Sequence, residues 1–224
     1  MLLIVPGVLK PDELKLARSW LADAPFVDGK LSAGAAARRV KQNEERDRGA
    51  GDVERLDQLV MGALTRHPMY RNGALPLHAA SPMYARYRPG MVYGEHLDDP
   101  IMGTGGVMYR SDVAVTVFLS DAGAYDGGEL VIRTAAGEQK VKGAAGDAVL
   151  YPASTIHHVS PVTRGERLVA VTWVQSLVRD PARRELLYGL NLAREKLLAT
   201  APEAEETAQV NAAYLNLIRM WSDL

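Results

Sequence analysis

Period-two apolar segments punctuated by Gly and Pro between Ser81 and Gln175, with stretches of helical period on both sides, predict an α+β fold. The expected architecture is a double-stranded β-helix (jelly-roll) core carrying an N-terminal helical support and a C-terminal helical pair. Along the chain this reads as a support region over 1–77, a jelly-roll domain over 78–178 and a helical extension over 179–224. A length of 224 residues suits one well-buried domain with such additions.

The first helix is expected over 11–24, where Leu14, Ala17, Leu21 and Ala24 recur at helical spacing after a Pro11-Asp12 start. A second is expected from Asp52 to Arg66, with Val53, Leu56, Leu59, Val60 and Leu64 on one stripe, ended by His67-Pro68. Between them, Gly29 to Gly51 is basic, Ala-rich and poorly patterned. Eight strands follow, over 83–87, 92–98, 113–119, 129–134, 138–142, 148–151, 157–161 and 167–175. In the third of these both alternating sets are apolar or small, as in a strand covered on both faces. Tyr125-Asp-Gly-Gly128 and Ala144-Ala-Gly-Asp147 carry turn chemistry. After Pro181 the period returns to helical, with Leu186, Leu187, Leu190, Ala193 and Leu197 on one stripe. Val210, Ala213, Tyr214, Leu217, Ile218 and Trp221 form the next, beyond Thr200-Ala-Pro202. So apolar a pair covers the β core or pairs with a second copy, as in a homodimer through the C-terminal helices.

Charge is balanced, with 26 Lys and Arg against 27 Asp and Glu, so no nucleic-acid footprint is expected. The apolar run Leu2 to Val5 stops at Pro6-Gly7, short of a signal peptide or membrane span, which predicts a soluble, cytoplasmic protein. With no cysteine, any metal is held by histidine and carboxylate.

That narrows attention to His96-Leu97-Asp98. On a strand, residues two apart share a face, so His96 and Asp98 can grip one ion together. Asp99 falls on the opposite face and precedes Pro100, as a loop-starting residue does. His67 and His78 precede the strands, leaving His157 or His158 as third ligand. His157 shares parity with Val159 and Pro161 and so takes the apolar face. Two imidazoles and one carboxylate on one side of a metal leave positions open for substrate and O2, the arrangement of non-haem Fe(II) sites.

Arg167 shares a strand face with Val169, Val171 and Trp173. If that face points inward the guanidinium needs a carboxylate partner, and its planar fork suits the far end of a 2-oxo acid whose near end chelates iron. An arginine hydrated at the strand's start is the alternative. Tyr87 and Tyr93 flank Pro89-Gly90; a phenol inside the barrel serves either a co-substrate carboxylate or core packing. Trp173 and Gln175 are candidates for the border of the O2 or substrate side. The loop Met102-Gly-Thr-Gly-Gly-Val107 is a candidate lid, or a plain turn.

The strings Tyr87-Arg-Pro-Gly90-Met-Val-Tyr93-Gly-Glu-His96-Leu-Asp98, Tyr125-Asp-Gly-Gly-Glu-Leu130 and Thr155-Ile-His157-His-Val-Ser-Pro161-Val-Thr-Arg-Gly-Glu-Arg167 resemble the Fe(II)/2-oxoglutarate dioxygenases of the prolyl-hydroxylase type. More narrowly, the chain is similar to the bacterial PKHD-type hydroxylases associated with iron uptake, from its Pro6-Gly-Val-Leu9 start to Arg183-Arg-Glu-Leu-Leu187. The resemblance implies iron ligands His96, Asp98 and His157, with Arg167 on the distal carboxylate of 2-oxoglutarate and Tyr87 assisting it. It also implies ascorbate as reductant, frequent homodimers, and hydroxylation of a small molecule or peptide with release of succinate and CO2. Two other readings of the same scaffold are a non-catalytic iron or 2-oxoglutarate sensor and a metal-dependent isomerase or hydrolase.

Overall fold

The computed structural model describes residues 1–103, 105 and 108–224. The larger sheet runs in the order Leu3–Val5, Ala148–Pro152, Val113–Phe118, Arg167–Ser176, Met83–Tyr87, Glu44–Arg46 and Phe26–Asp28, with Pro76–Ala79 also paired to Arg167–Ser176. Facing it is a five-stranded sheet in the order Gly137–Val141, Leu130–Thr134, His157–Val159, Val92–His96 and Lys41–Gln42. The two sheets form a jelly roll, and five helices surround it: α1 (Pro11–Ala22), α2 (Glu54–Arg66), α3 (Pro68–Ala74), α4 (Pro181–Thr200) and α5 (Glu205–Trp221).

Every residue of Val113–Phe118 is buried because the larger sheet is covered twice. Val113, Val115 and Val117 pack with Leu21, Leu56, Val60 and Leu64 of α1 and α2, while Ala114 and Phe118 join Leu130, Ile132 and Val159 of the smaller sheet in the inner core. One helical layer therefore holds the back of the larger sheet rigid and leaves its front to the site. Tyr84 faces the helical side and donates to Asp57 of α2 at 2.9 Å, and Arg48 closes on the same carboxylate at 2.5 Å.

The stretch expected as a helical layer up to residue 77 is corrected: it supplies four strands and the first half of a fifth, Pro76–Ala79, as well as α1, α2 and α3. Those strands are two to four residues long, too short to carry a period, and Lys41-Gln-Asn-Glu-Glu-Arg46 has no apolar residue at all. Pro68 ends α2 and also starts α3, where its fixed φ and missing N–H fit the first helical position. α4 and α5 pack through Tyr214, Leu217, Ile218 and Trp221 around the buried Leu75, Val178 and Leu187. Of the candidate lid from Met102 to Val107, residues 104, 106 and 107 lie outside the described residues. No helix among the described residues is long and apolar enough to cross a membrane.

Candidate metal centre

His96 ends strand Val92–His96 and His157 opens strand His157–Val159, and the two are paired directly across the smaller sheet. Directly opposed residues share a face, so both imidazoles enter the space between the sheets, with ring centroids 4.3 Å apart. His157 Nε2 lies 3.8 Å from Asp98 Oδ1. One donor atom from each of His96, Asp98 and His157 falls within 4.8 Å of the others.

The strand does not continue to Asp98 as alternation suggests. His157 is the first residue of its own strand, which leaves Leu97 and Asp98 no ladder partner. The register also slips: His157 opposes His96 but Val159 opposes Tyr93, so three steps on one strand span two on the other. This bulge re-aims its side chains. It lays the Tyr93 ring against His96, with centroids 3.6 Å apart and planes 11° from parallel.

Main-chain carbonyls orient both imidazoles from behind. His96 Nδ1 donates to the Gly94 carbonyl at 2.8 Å and His157 Nδ1 to the Thr155 carbonyl at 2.9 Å. A carbonyl only accepts, so each Nδ1 carries the proton and each Nε2 keeps its lone pair for a metal. Burial, aided by His157, depresses the His96 pKa to about 3, which keeps that imidazole neutral. The Asp98 side chain is 8% exposed, and its Oδ2 has no hydrogen-bond partner among the described residues. Burial pushes its carboxyl above the ordinary range. A buried carboxylate so placed is costly alone, and a divalent cation between it and the two Nε2 atoms would offset that cost. The donor set fits non-haem Fe(II).

Arg167 stands opposite Tyr87 in the larger sheet and is 2% exposed. The hydrated alternative is thereby removed. Its guanidinium lies 5.0 Å from the centroid of the Tyr87 ring, and its Nε is unpartnered among the described residues. Gly128, at φ +67°, makes room for the stem: a Cβ there would come within 3.1 Å of Arg167 Cδ. Tyr87 is buried, which raises its hydroxyl pKa to about 12 and keeps it a proton donor.

His96, Asp98, His157, Arg167 and Tyr87 line one cavity of about 370 Å3, and Trp173 borders it with an unpartnered Nε1. His158 and Gln175 do not line it; Gln175 Oε1 instead accepts from the Arg110 N–H at 3.2 Å. Lys41, Asn43 and Glu45 line the same cavity from the segment that sequence reasoning left unpatterned. Lys41 opposes Tyr93 and Glu45 opposes Ala85, so both charges point inward and pair there, with Lys41 Nζ also 3.0 Å from Ser32 Oγ. An unbroken polar run gives no sign that alternate members face inward, because such a run is ordinarily a solvated edge.

The jelly roll and its cavity suit an oxygenase of the iron and 2-oxoglutarate class, and the family model described as 2OG-Fe(II) oxygenase superfamily matches residues 82–175. A second, described as PKHD-type hydroxylase C-terminal domain, matches residues 181–223. The chain belongs to the PKHD-type hydroxylases, being 53% identical to one from Thioalkalivibrio sulfidiphilus and 44% identical to one from Hyphomonas neptunium, with 100% of both chains covered each time. It is therefore a dioxygenase, and Fe(II) and 2-oxoglutarate are typical of its family. Among solved structures it is similar to a prolyl hydroxylase from Trichoplax adhaerens in complex with a hypoxia inducible factor peptide fragment. That match has a TM-score of 0.58 at 16% identity, over 83% of this chain and 86% of that one. A Pseudomonas putida prolyl-4-hydroxylase gives a TM-score of 0.54 at 21% identity over 78% and 92%. At those identities the likeness is one of fold.

Proposed function

We propose that His96, Asp98 and His157 hold Fe(II), that Arg167 with Tyr87 binds the distal carboxylate of 2-oxoglutarate, and that the chain hydroxylates a small molecule or peptide, releasing succinate and CO2. The observation that carries this reading is one cavity containing both a three-donor cluster and a buried, incompletely bonded guanidinium. Bound there, Fe(II) supplies the oxidising chemistry, coupling O2 and 2-oxoglutarate to C–H hydroxylation. The protein's own part is positional. Two Nδ1–H bonds to main-chain carbonyls fix the imidazoles, Arg167 meets a carboxylate with its planar fork, and the Tyr87 hydroxyl donates to the same group. Inner-core side chains keep bulk water from the reacting centre.

The wider reading is a cytoplasmic enzyme linked to iron uptake or homeostasis, with ascorbate keeping the iron ferrous. Exposed Leu186, Leu192, Leu215 and Met220 on α4 and α5 support a homodimer through the C-terminal helices. The support region 1–77, oxygenase domain 78–178 and extension 179–224 are proposed as divisions along one folded unit, since strands from the first enter both sheets of the second.

Succinate release under air, with Fe(II), 2-oxoglutarate and the purified protein, is the direct test. His157→Ala should abolish both metal retention and succinate formation, whereas His158→Ala should retain metal. The reverse pattern would overturn the ligand assignment.

A further inference from the structure

The segment Val40–Glu45 lies outside the residues matched by either family description, yet it borders the metal centre. Its first hold is on the bulge. Gly94 N–H donates to the Val40 carbonyl at 2.9 Å, and a Cβ on Gly94 would sit 2.8 Å from Val40 Cβ, so the two backbones approach as closely as glycine allows. The carbonyl of that same Gly94 accepts the hydrogen bond from His96 Nδ1. Its second hold is on Tyr93. Lys41 is 3% exposed, and its Nζ lies 5.2 Å from the centroid of the Tyr93 ring, which in turn stacks on His96. Glu45 and Ser32 fix the ammonium in that place.

We propose that Lys41 and Tyr93 are positioning residues of the metal centre: Lys41 braces the Tyr93 ring, and the ring blocks rotation of the His96 imidazole away from Asp98 and His157. A buried ion pair is a poor stabiliser in itself and can usually be replaced by apolar packing without loss. Apolar packing cannot reproduce an ammonium over an aromatic face. Nor can the Gly94 carbonyl hold the imidazole plane alone, because one hydrogen bond at Nδ1 leaves the ring free to tilt about it. A flat ring stacked 11° from parallel removes that freedom.

The inference rests on His96 being a ligand, and Co(II) titration separates the two claims. Affinity and the visible d–d spectrum would be measured for wild type, His96→Ala, Tyr93→Leu, Tyr93→Phe and the double variant Lys41→Met/Glu45→Gln, which removes the cation without stranding a carboxylate. Tyr93→Leu should weaken Co(II) binding by about tenfold or more and shift the d–d bands, the effect typical of losing a group that orients a ligand. Tyr93→Phe keeps the ring and should restore wild-type affinity and spectrum. The double variant should bind several-fold more weakly, with its bands shifted in the same sense as those of Tyr93→Leu. Wild-type affinity and spectrum in both Tyr93→Leu and the double variant would overturn the proposal while leaving the ligand assignment standing. Equal losses in Tyr93→Phe and Tyr93→Leu would overturn it too, by assigning the effect to the hydroxyl. Wild-type Co(II) affinity in His96→Ala would remove the ligand assignment, and this inference with it.

Discussion

Arg167 shows what one buried charge demands. It is 2% exposed with an unpartnered Nε, a state that a bound carboxylate relieves. Arg167→Leu should raise the 2-oxoglutarate KM by about two orders of magnitude, since a charge-assisted bidentate contact contributes about 3 kcal/mol. Metal affinity should stay near wild type, and steady-state kinetics beside a Co(II) titration would check both. His96 carries a pH signature in the metal-free protein. Its pKa falls from 6.5 to about 3 on folding, so between those values the unfolded chain takes up a proton that the folded chain refuses. Stability from this residue is therefore complete above about pH 6.5 and declines as the pH drops towards 3. His96→Gln should flatten that part of the profile, seen as a smaller difference between urea midpoints measured at pH 7 and pH 5. At this scale the candidate site was legible where chemistry is rare: with no cysteine and few histidines, His96, Asp98, His157 and Arg167 stand out along the chain. Lys41, Asn43 and Glu45 were not legible, because charged residues near the N-terminus are ordinarily solvated and nothing in their spacing marks them as inward-facing.

At the level of elements, the bulge in Val92–His96 matters more than the strand. Alternation correctly separates His157 from His158 in exposure, since His157 is buried and His158 only partly so. It does not describe the other strand, where Tyr93 and His96 are three apart and still share the cavity. Bulges leave no reliable mark in a single sequence; here Gly94 is the only hint. Gly94→Ala tests its role: the added Cβ meets Val40 at 2.8 Å, a clash that should destabilise by about 1–3 kcal/mol. It should also weaken Co(II) binding by displacing the carbonyl that orients His96. Denaturant midpoints with and without metal would show whether the two effects travel together.

Across the whole molecule, the larger sheet is gripped by α1 and α2 on one face and by the smaller sheet on the other, and the cavity opens only on the second. The C-terminal pair joins the same body through Leu75, Val178 and Leu187 rather than standing apart. Leu187 is 1% exposed, so Leu187→Ala should cost about 2–5 kcal/mol of global stability. A single cooperative thermal transition, lowered as a whole, would show that α4 and α5 belong to the unit that carries the candidate metal site. Separate transitions would show an independently melting extension.

Periodicity, turn chemistry and the shortage of metal-capable side chains were enough to give the jelly-roll core, the C-terminal helical pair and a short set of candidate residues able to coordinate a metal or pair with a carboxylate. These are local or compositional properties, set by which side chains recur at which spacing. Only the tertiary structure decided that residues 41–46 cross from one sheet to the other, that their charges pair inside, and that a bulge turns Tyr93 onto His96. Those features come from backbone ladders between distant segments, and a main-chain hydrogen bond makes almost no demand on the side chain it aligns.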